Sequence, residues 1–143
     1  MTEIYTDGGC RNCIGGWAWL MVEGDSIPLI SHSGREEDTT SQRMEMLAVI
    51  KAIDTLRPSR ETIKIVTDSA YVTNCIRDKW YIKWRKNGWK SYTGKSVKNQ
   101  DLWTRLLALL KIVDVEFRHI KGHSGNKWND MVDELCTKEI NSE

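Results

Sequence analysis

The sequence has no apolar run long enough to cross a membrane and no secretion signal at its amino terminus. A membrane-spanning helix needs about 20 consecutive, mainly apolar residues, and no stretch of this chain comes near that length. Met1 leads almost directly into a strand-like segment, without the basic and apolar regions of a signal peptide. We therefore expect a soluble, cytoplasmic protein that does not associate with membranes.

Cysteine is also scarce, with four residues in a chain of 143. Secreted disulfide-rich domains carry a denser and more regular set of cysteines. Only Cys10 and Cys13 have a spacing suggestive of metal or redox chemistry, and no second pair with zinc-ligand spacing follows them. The alternative is reduced thiols, with Cys75 and Cys136 serving as small apolar residues of helices, and we favour it.

The length and composition of the chain indicate a single domain. A chain of this size, 40% apolar, buries roughly 70% of its unfolded surface and can hold a core without disulfides or metals. The sequence shows no internal repeat, low-complexity tract or linker. We expect residues 1–143 to fold as one domain.

Positive charge is concentrated in one part of the chain. Residues 77–98, here called the basic segment, contain eight cations and one acid, so their net charge is +7 and that of the remainder is −6. The basic segment would attract a polyanion, while carboxylates gather elsewhere. Its cations are Arg77, Lys79, Lys83, Arg85, Lys86, Lys90, Lys95 and Lys98.

Alternating apolar residues predict three strands near the amino terminus, over residues 3–7, 17–22 and 27–33, with a hairpin turn at 23–26. They would form an antiparallel meander. Helical spacing then predicts a helix over residues 41–57, capped by Thr40 or Ser41 and followed by Pro58.

The second half of the chain contains a βαβ pattern. A strand rich in Ile and Val over residues 62–67 and a helix over 69–76 precede a last strand that alternates from 113 to 117. The strand at 62–67 is expected to pair in parallel with the first strand. A final helix is predicted over residues 127–140.

Two aspartates occupy similar positions near the ends of apolar strands. Asp7 and Asp68 would lie close together if those strands are neighbours. An aspartate in a strand costs desolvation and repels a second carboxylate unless a cation lies between them. Taken singly, each could equally be a turn or cap residue.

Two further acids lie in predicted helices. Helical geometry puts Glu45 at the margin of an apolar face, although the helix dipole also favours a glutamate in the first turn. Asp133 lies in the last helix, where a solvated acid is the ordinary interpretation. Together the four acids offer the oxygen ligands that Mg²⁺ prefers, and nucleases use two such ions about 4 Å apart.

The basic segment alternates its charges with the aromatic residues Trp80, Tyr81, Trp84 and Trp89. Trp80 and Trp84 would share a helix face, while the neighbouring cations can reach phosphates. The alternative is an amphipathic helix whose tryptophan side belongs to the core. We favour nucleic-acid binding, because the charge of +7 in an otherwise acidic chain needs a polyanion more than a core does.

Six motifs follow one another along nearly the whole chain. They are Thr6-Asp7-Gly8-Gly9-Cys10, Thr39-Thr40-Ser41-Gln42-Arg43-Met44-Glu45, Thr67-Asp68-Ser69-Ala70-Tyr71-Val72, residues 80–90, residues 97–103, and residues 120–125 followed by 129–135. In this order and spacing they resemble the type 1, bacterial-type ribonuclease H family. The resemblance implies an α/β, ribonuclease H-like fold, with a five-stranded mixed sheet in the order 3-2-1-4-5 and helices on both faces.

This resemblance implies an endonuclease that hydrolyses the RNA strand of RNA/DNA hybrids and leaves 5′-phosphate and 3′-hydroxyl ends. It implies two Mg²⁺ ions, replaceable by Mn²⁺, held by Asp7, Glu45, Asp68 and Asp133. Asp130 matches a family position that is not a ligand. His123 matches a loop histidine that assists proton transfer or product release, although a lone histidine is otherwise most often a surface residue. We expect a monomer without an obligate protein partner.

The resemblance also implies a substrate-binding surface. RNA would be distinguished from DNA through its 2′-hydroxyls, by Cys10, Asn12, Ser41 and Gln42, with Asn12 and Thr40 near a DNA phosphate. Many members have Asn-Asn at 41–42 and a longer loop at 11–15, so this chain departs from the family there. The DNA strand would be gripped by Trp80, Lys83, Trp84, Arg85, Lys86, Trp89 and Lys90.

Two other functions are open to this sequence. One is a DNA-cutting nuclease of the same superfamily, such as a junction resolvase, and the basic segment and the His123 loop argue against it. The other is a hybrid-binding module that has lost catalysis. Retention of all four acids argues against that second function.

Overall fold

The protein is described here from a computed structural model that covers residues 2–23, 30–59, 62–90, 94–122 and 125–142, with the side chain of Ser59 left out. Within these residues, five strands form one mixed sheet. β1 and β2, like β2 and β3, are antiparallel, while β1 pairs in parallel with β4 and β4 with β5. The strands are β1 (Thr2–Arg11), β2 (Ile14–Glu23), β3 (Ile30–Glu36), β4 (Thr62–Thr67) and β5 (Asp114–His119), and their order across the sheet is β3-β2-β1-β4-β5.

Helices cover both faces of this sheet. None of those in the described ranges combines the length and the apolarity that crossing a bilayer requires. A short 3-10 turn, Arg57–Ser59, follows the first helix. The α-helices are α1 (Ser41–Leu56), α2 (Ala70–Asp78), α3 (Trp80–Lys86), α4 (Gln100–Ile112) and α5 (Lys127–Asn141).

Strand alternation divides the core into two layers. Successive side chains of a strand point to opposite faces, so Trp19 joins the core that contains α1 and α4, while Leu20 joins the core that contains α5. In the same way Ile4 faces α1 and Tyr5 faces α5. The predicted fold, strand order and parallel pairing of β1 with β4 are confirmed.

Several element boundaries differ from the prediction. β1 and β2 extend to a two-residue turn, Asn12-Cys13, whose φ angles of 53° and 65° suit a tight hairpin. The glycine-rich residues beside this turn show no apolar alternation, which is why the pattern ended the strands early. β3 runs to Glu36 instead of ending at Ser33. The predicted start of that strand at 27–29, and turn residues 24–26, lie outside the described residues.

The helices follow the predicted spacing with small shifts. Thr40 caps α1, its Oγ1 accepting the Arg43 N–H at 3.2 Å, so the first of the two predicted caps is correct. α2 begins after Ser69 and continues to Asp78. α4 was not predicted as an element, although Leu102, Leu106 and Leu109 have helical spacing and are buried.

Candidate active site

The parallel pairing of β1 with β4 brings two of the predicted acids together. Thr6 is registered with Thr67, so the next residues, Asp7 and Asp68, leave the ends of the paired region side by side. Asp7 still belongs to β1 and is only 7% exposed, while Asp68 follows β4 and is half-buried. The sheet thus holds one carboxyl group in a nearly dry position beside a second that water reaches.

The other two acids come from helices on opposite faces of the sheet. Glu45 lies in the first turns of α1 and Asp133 in α5, and both are half-buried. Asp133 shares a side-chain hydrogen bond with Asp7, and the charge of Asp68 acts on both Asp7 and Glu45. The structure therefore brings all four predicted acids into one electrostatic cluster, here called the acidic cluster.

Gly8 allows α1 to approach the sheet closely enough to deliver Glu45. A Cβ at position 8 would lie 2.2 Å from the backbone nitrogen of Glu45 and 2.2 Å from the carbonyl carbon of Met44. These neighbours are backbone atoms, so they cannot give way without moving the helix. At Gly9 the nearest atom to an added Cβ is the Cδ1 of Ile140 at 3.5 Å, which is an ordinary contact.

We expect Gly8→Ala to destabilise the protein strongly and Gly9→Ala to have little effect. Overpacking of this kind typically costs about 1–3 kcal/mol, and here α1 itself must shift. The measurement is thermal unfolding of the parent and the two variants followed by circular dichroism. Equal melting temperatures for Gly8→Ala and Gly9→Ala would show that the close approach of α1 to β1 is not required.

The pKa of Asp7 is raised from its ordinary value of 3.8 to about 8. Burial is the main cause, because it disfavours the charged form, and the negative charge of Asp68 adds to it. A hydrogen bond with Asp133 and the charge of that residue raise the pKa further, while the Gly8 backbone N–H lowers it. Without a cation, Asp7 therefore carries a proton near neutral pH.

Burial also affects the pKa of Glu45, which has a different hydrogen-bond partner. Burial raises its pKa, the Ser69 hydroxyl opposes that shift by donating a hydrogen bond, and the charge of Asp68 raises the pKa further. The Ser69 Oγ donates to Glu45 Oε2 across 24 residues of sequence. Glu45 is thus held in place by a neutral donor among other acids.

The donor chemistry of the acidic cluster fits a hard divalent cation. Carboxylate oxygens are the ligands that Mg²⁺ prefers, and a cation between Asp7 and its neighbours would remove the repulsion that raises the pKa of Asp7. Within the described ranges, no three Asp, Glu, His or Cys side chains are spaced as a finished metal cage.

Cys136 lies behind the acidic cluster as a buried thiol. Burial and the charges of Asp7 and Asp133 raise its pKa to about 12, so it stays protonated. Its Sγ donates to the Gly16 carbonyl oxygen at 3.0 Å. The predictions that Cys136 and Cys75 are buried apolar residues of helices are confirmed.

The predicted catalytic histidine, His123, lies outside the described residues. The residue before it, Gly122, contacts the acidic cluster, since a Cβ added there would lie 3.0 Å from Asp68 Oδ2. The segment leading to His123 therefore passes directly over Asp68. A different histidine, His119, places Nε2 3.3 Å from the Asp68 carbonyl oxygen, and no sequence motif indicates this contact.

Ser69 is a second site residue that the sequence does not mark as functional. It belongs to the Thr67-Asp68-Ser69 motif, and its position before a helical pattern indicates a cap. Its contact with Glu45 could not have been found in that way, because the two residues belong to different elements.

The residues predicted to contact RNA gather beside α1. The backbone N–H of Thr39 donates to the Cys13 carbonyl at 3.1 Å, and the Cys10 Sγ donates to the Thr39 carbonyl at 3.4 Å. These bonds tie the tip of the β1–β2 hairpin to the start of α1. They bring together Cys10, Asn12, Thr40, Ser41 and Gln42, of which Cys10 is half-buried and the others are exposed.

The basic segment comprises the end of α2, α3 and the loop after it, of which residues 91–93 lie outside the described residues. Every residue of α3 is exposed or half-buried. Lys79 takes a left-handed φ of 54° between α2 and α3, which turns the chain sharply. Four cations predicted to bind phosphate are exposed to solvent: Lys83, Arg85, Lys86 and Lys90.

The tryptophans of the basic segment have unequal positions. Trp80 is 40% exposed and lies 6.3 Å from Trp84 between ring centroids, so the predicted shared face exists. Trp84 and Trp89 are half-buried against the core. The ring centroid of Trp84 lies 5.8 Å from that of the buried Trp103. Trp84 and Trp89 therefore pack largely against the core, as the alternative interpretation expected. Trp80 remains accessible to a ligand.

Comparison with known proteins agrees with this geometry. The RNase H family model matches residues 1–141. A ribonuclease H of Syntrophomonas wolfei is 42% identical over 141 residues, covering 97% of this chain and 95% of that protein.

Two solved structures illustrate the fold. LC9-RNase H1, a type 1 RNase H with the type 2 active-site motif, has a TM-score of 0.81 and 25% identity, over 96% of this chain and 70% of that one. LC11-RNase H1 in complex with an RNA/DNA hybrid has a TM-score of 0.75 and 19% identity, and the match covers 99% of this chain and 97% of that one. The predicted resemblance is confirmed over nearly the whole length, and this chain is a member of the ribonuclease H family of enzymes.

Proposed function

We propose that this ribonuclease H is an endonuclease that cleaves the RNA strand of RNA/DNA hybrids and leaves 5′-phosphate and 3′-hydroxyl ends. The observation that carries the proposal is the acidic cluster, in which Asp7, Glu45, Asp68 and Asp133 converge from four separate elements. The hybrid bound by LC11-RNase H1, a protein of the same fold, supports this substrate.

The residues that would hold the metal are the four acids of the acidic cluster. We propose two Mg²⁺ ions during catalysis, with Mn²⁺ able to replace them. Bound Mg²⁺ would lower the pKa of a water molecule and stabilise negative charge on the scissile phosphate. The contribution of the chain is to present the carboxylates from rigid strands and helices, so that little reorganisation is needed when the cations bind.

Protons at the site would be handled by different groups. Asp7, whose pKa is about 8 in the metal-free protein, would release its proton when a cation binds beside it. His123 is proposed to exchange protons with the substrate or product, since an imidazole titrates near neutral pH. The closeness of Gly122, the residue before His123, to Asp68 supports this role.

RNA would be distinguished from DNA by its 2′-hydroxyls. The polar groups proposed for this contact are Cys10, Asn12, Ser41 and Gln42, which the hairpin and the start of α1 hold together. Thr40 and Asn12 are proposed to contact a phosphate of the DNA strand. Thr40 Oγ1 already accepts the Arg43 N–H, which leaves its hydroxyl proton available to a phosphate oxygen.

The DNA strand would lie along the basic segment. Lys83, Arg85, Lys86 and Lys90 are proposed to neutralise phosphates, and exposed cations of this kind supply most of the sequence-independent affinity for duplexes. Trp80 offers an exposed apolar surface among them, and Trp84 and Trp89 hold the segment against the core.

The decisive experiment compares three labelled duplexes of one sequence: RNA/DNA, DNA/DNA and RNA/RNA. We expect Mg²⁺-dependent cleavage of the RNA strand of the hybrid alone, no cleavage in chelator, and fragments whose 3′ ends prime a DNA polymerase. Cleavage of DNA/DNA would favour a DNA-cutting nuclease of this fold. Tight binding of the hybrid without cleavage in any divalent cation would indicate a binding module.

A further inference from the structure

We infer that Ser69 is a positioning residue whose hydroxyl group orients the Glu45 carboxylate for metal binding. The Ser69 Oγ donates its proton to Glu45 Oε2. A hydroxyl group has a single proton, so the direction of this hydrogen bond depends on what else the oxygen contacts. The inference rests on the proposed function, because it assigns Glu45 to the metal site.

A second contact determines where that proton points. The backbone N–H of Val72 donates to Ser69 Oγ at 3.2 Å, which is the N-cap contact of α2. The oxygen thus accepts from the helix on one side and has its own proton free for Glu45 on the other. One hydroxyl group links the start of α2 to an acid of α1.

The backbone of Ser69 is held as firmly as its side chain. Its N–H donates to Thr67 Oγ1 at 3.0 Å, and its carbonyl accepts from Thr73 Oγ1 at 3.0 Å. Ser69 is only 4% exposed, so water does not compete effectively for these bonds. Hydrogen bonds to the end of β4 and to α2 therefore hold Ser69, and its hydroxyl group, in one position.

Glu45 gains more from such a contact than the other acids of the cluster do. Its side chain has three rotatable bonds and would lose much rotamer freedom on binding a cation. A donor that holds Oε2 in advance removes that cost and leaves Oε1 free to face a ligand. Residues that orient a metal ligand typically change metal affinity or activity by about 10- to 100-fold when removed.

The test separates orientation of Glu45 from capping of α2. Ser69→Gly removes the hydroxyl group while retaining a residue that helix N-caps tolerate, and Ser69→Thr retains both contacts. The matched control is Thr55→Val, which removes a hydroxyl group that donates to the Lys51 backbone carbonyl at the end of α1 distant from Glu45. Each variant is checked for folding by its melting temperature before use.

The first readout is Mg²⁺ affinity without substrate, measured by calorimetry. We expect Ser69→Gly to weaken it by about 10-fold or more, while Ser69→Thr and Thr55→Val stay within about two-fold of the parent. At saturating hybrid, kcat should follow the same order, with KM little changed. Parental Mg²⁺ affinity and kcat for a folded Ser69→Gly would overturn the inference.

The second readout is a double-mutant cycle with Glu45→Gln. If Ser69 acts through the Glu45 carboxylate, Ser69→Gly should not weaken Mg²⁺ binding further in the Glu45→Gln background. An equal loss in both backgrounds would indicate a general structural role and overturn the inference. The cycle needs no catalysis, so absence of hybrid cleavage by the parent would overturn the proposed function and leave this result interpretable.

Discussion

Asp7→Asn is expected to abolish hydrolysis of the hybrid while leaving its binding close to that of the parent. The substitution removes a carboxylate that we propose to be a metal ligand of the acidic cluster and leaves the basic segment unchanged. Loss of a ligand should lower kcat by at least about 100-fold, and Asp68→Asn should behave in the same way. The measurements are single-turnover cleavage in Mg²⁺ and equilibrium binding of the hybrid in chelator.

Asp130→Asn is the matched control for this prediction. Asp130 lies on α5, as Asp133 does, but its side chain is exposed, and the chemical substitution is the same. We expect it to retain cleavage close to the parental rate. Cleavage by Asp7→Asn or Asp68→Asn at roughly a tenth of the parental rate or more would contradict the proposed site.

Without metal, Asp7→Asn should also be more stable than the parent at alkaline pH. The folded-state pKa of Asp7 is about 8, above its ordinary value of 3.8, so the folded state binds this proton more tightly than the unfolded state does. Its contribution to stability is therefore complete below pH 3.8 and declines as the pH rises to about 8. Asparagine has no such proton to lose, so the decline should disappear in the variant.

This effect is measured by thermal unfolding of the parent and of Asp7→Asn in chelator between pH 5 and 9, a range that includes the pKa of Asp7. A gain of about 2 kcal/mol above pH 8 would raise the melting temperature by roughly 4–8 °C. If Mg²⁺ binds the folded acidic cluster as proposed, millimolar Mg²⁺ should stabilise the parent more than the variant. Identical pH profiles for the two proteins would show that Asp7 does not carry the buried proton.

Replacing four exposed cations of the basic segment with alanine is expected to weaken hybrid binding and flatten its salt dependence. Each phosphate contact contributes about −0.9 to the slope of log K against log[salt], so losing two or three contacts should reduce the slope by about 2–3. Turnover at saturating hybrid should change little, because the acidic cluster is untouched. The residues replaced are Lys83, Arg85, Lys86 and Lys90.

A variant with the same change of charge elsewhere tests whether position matters. Arg57, Arg105, Lys111 and Lys138 are exposed and lie outside the basic segment, so replacing them by alanine matches the loss of four positive charges. We expect that control to change the salt slope much less. If KM and its salt slope stay parental in the basic-segment variant while kcat collapses, the segment has a structural role and does not hold the substrate.

Local pattern was sufficient for the elements whose neighbours in sequence are also their neighbours in structure. The run of Ile and Val in β4 predicted Thr62–Thr67 to the residue, and the spacing of apolar residues predicted α1, with Thr40 as one of its two candidate caps. The glycines around the β1–β2 turn hid the length of that hairpin, because a strand without alternating side chains has no local signature. The division of charge between the basic segment and the rest of the chain was also evident from the sequence alone.

The four acids could be named from their motifs, but their environment could not. Only the tertiary structure decided that Asp7 is nearly dry beside Asp68, because burial and charge depend on residues distant in the chain. The same holds for the Ser69 contact with Glu45, across 24 residues. Sequence by itself determined which groups this protein carries and which elements hold them. Their protonation and mutual orientation arise only when the helices pack on the sheet, since both depend on distances that no local pattern encodes.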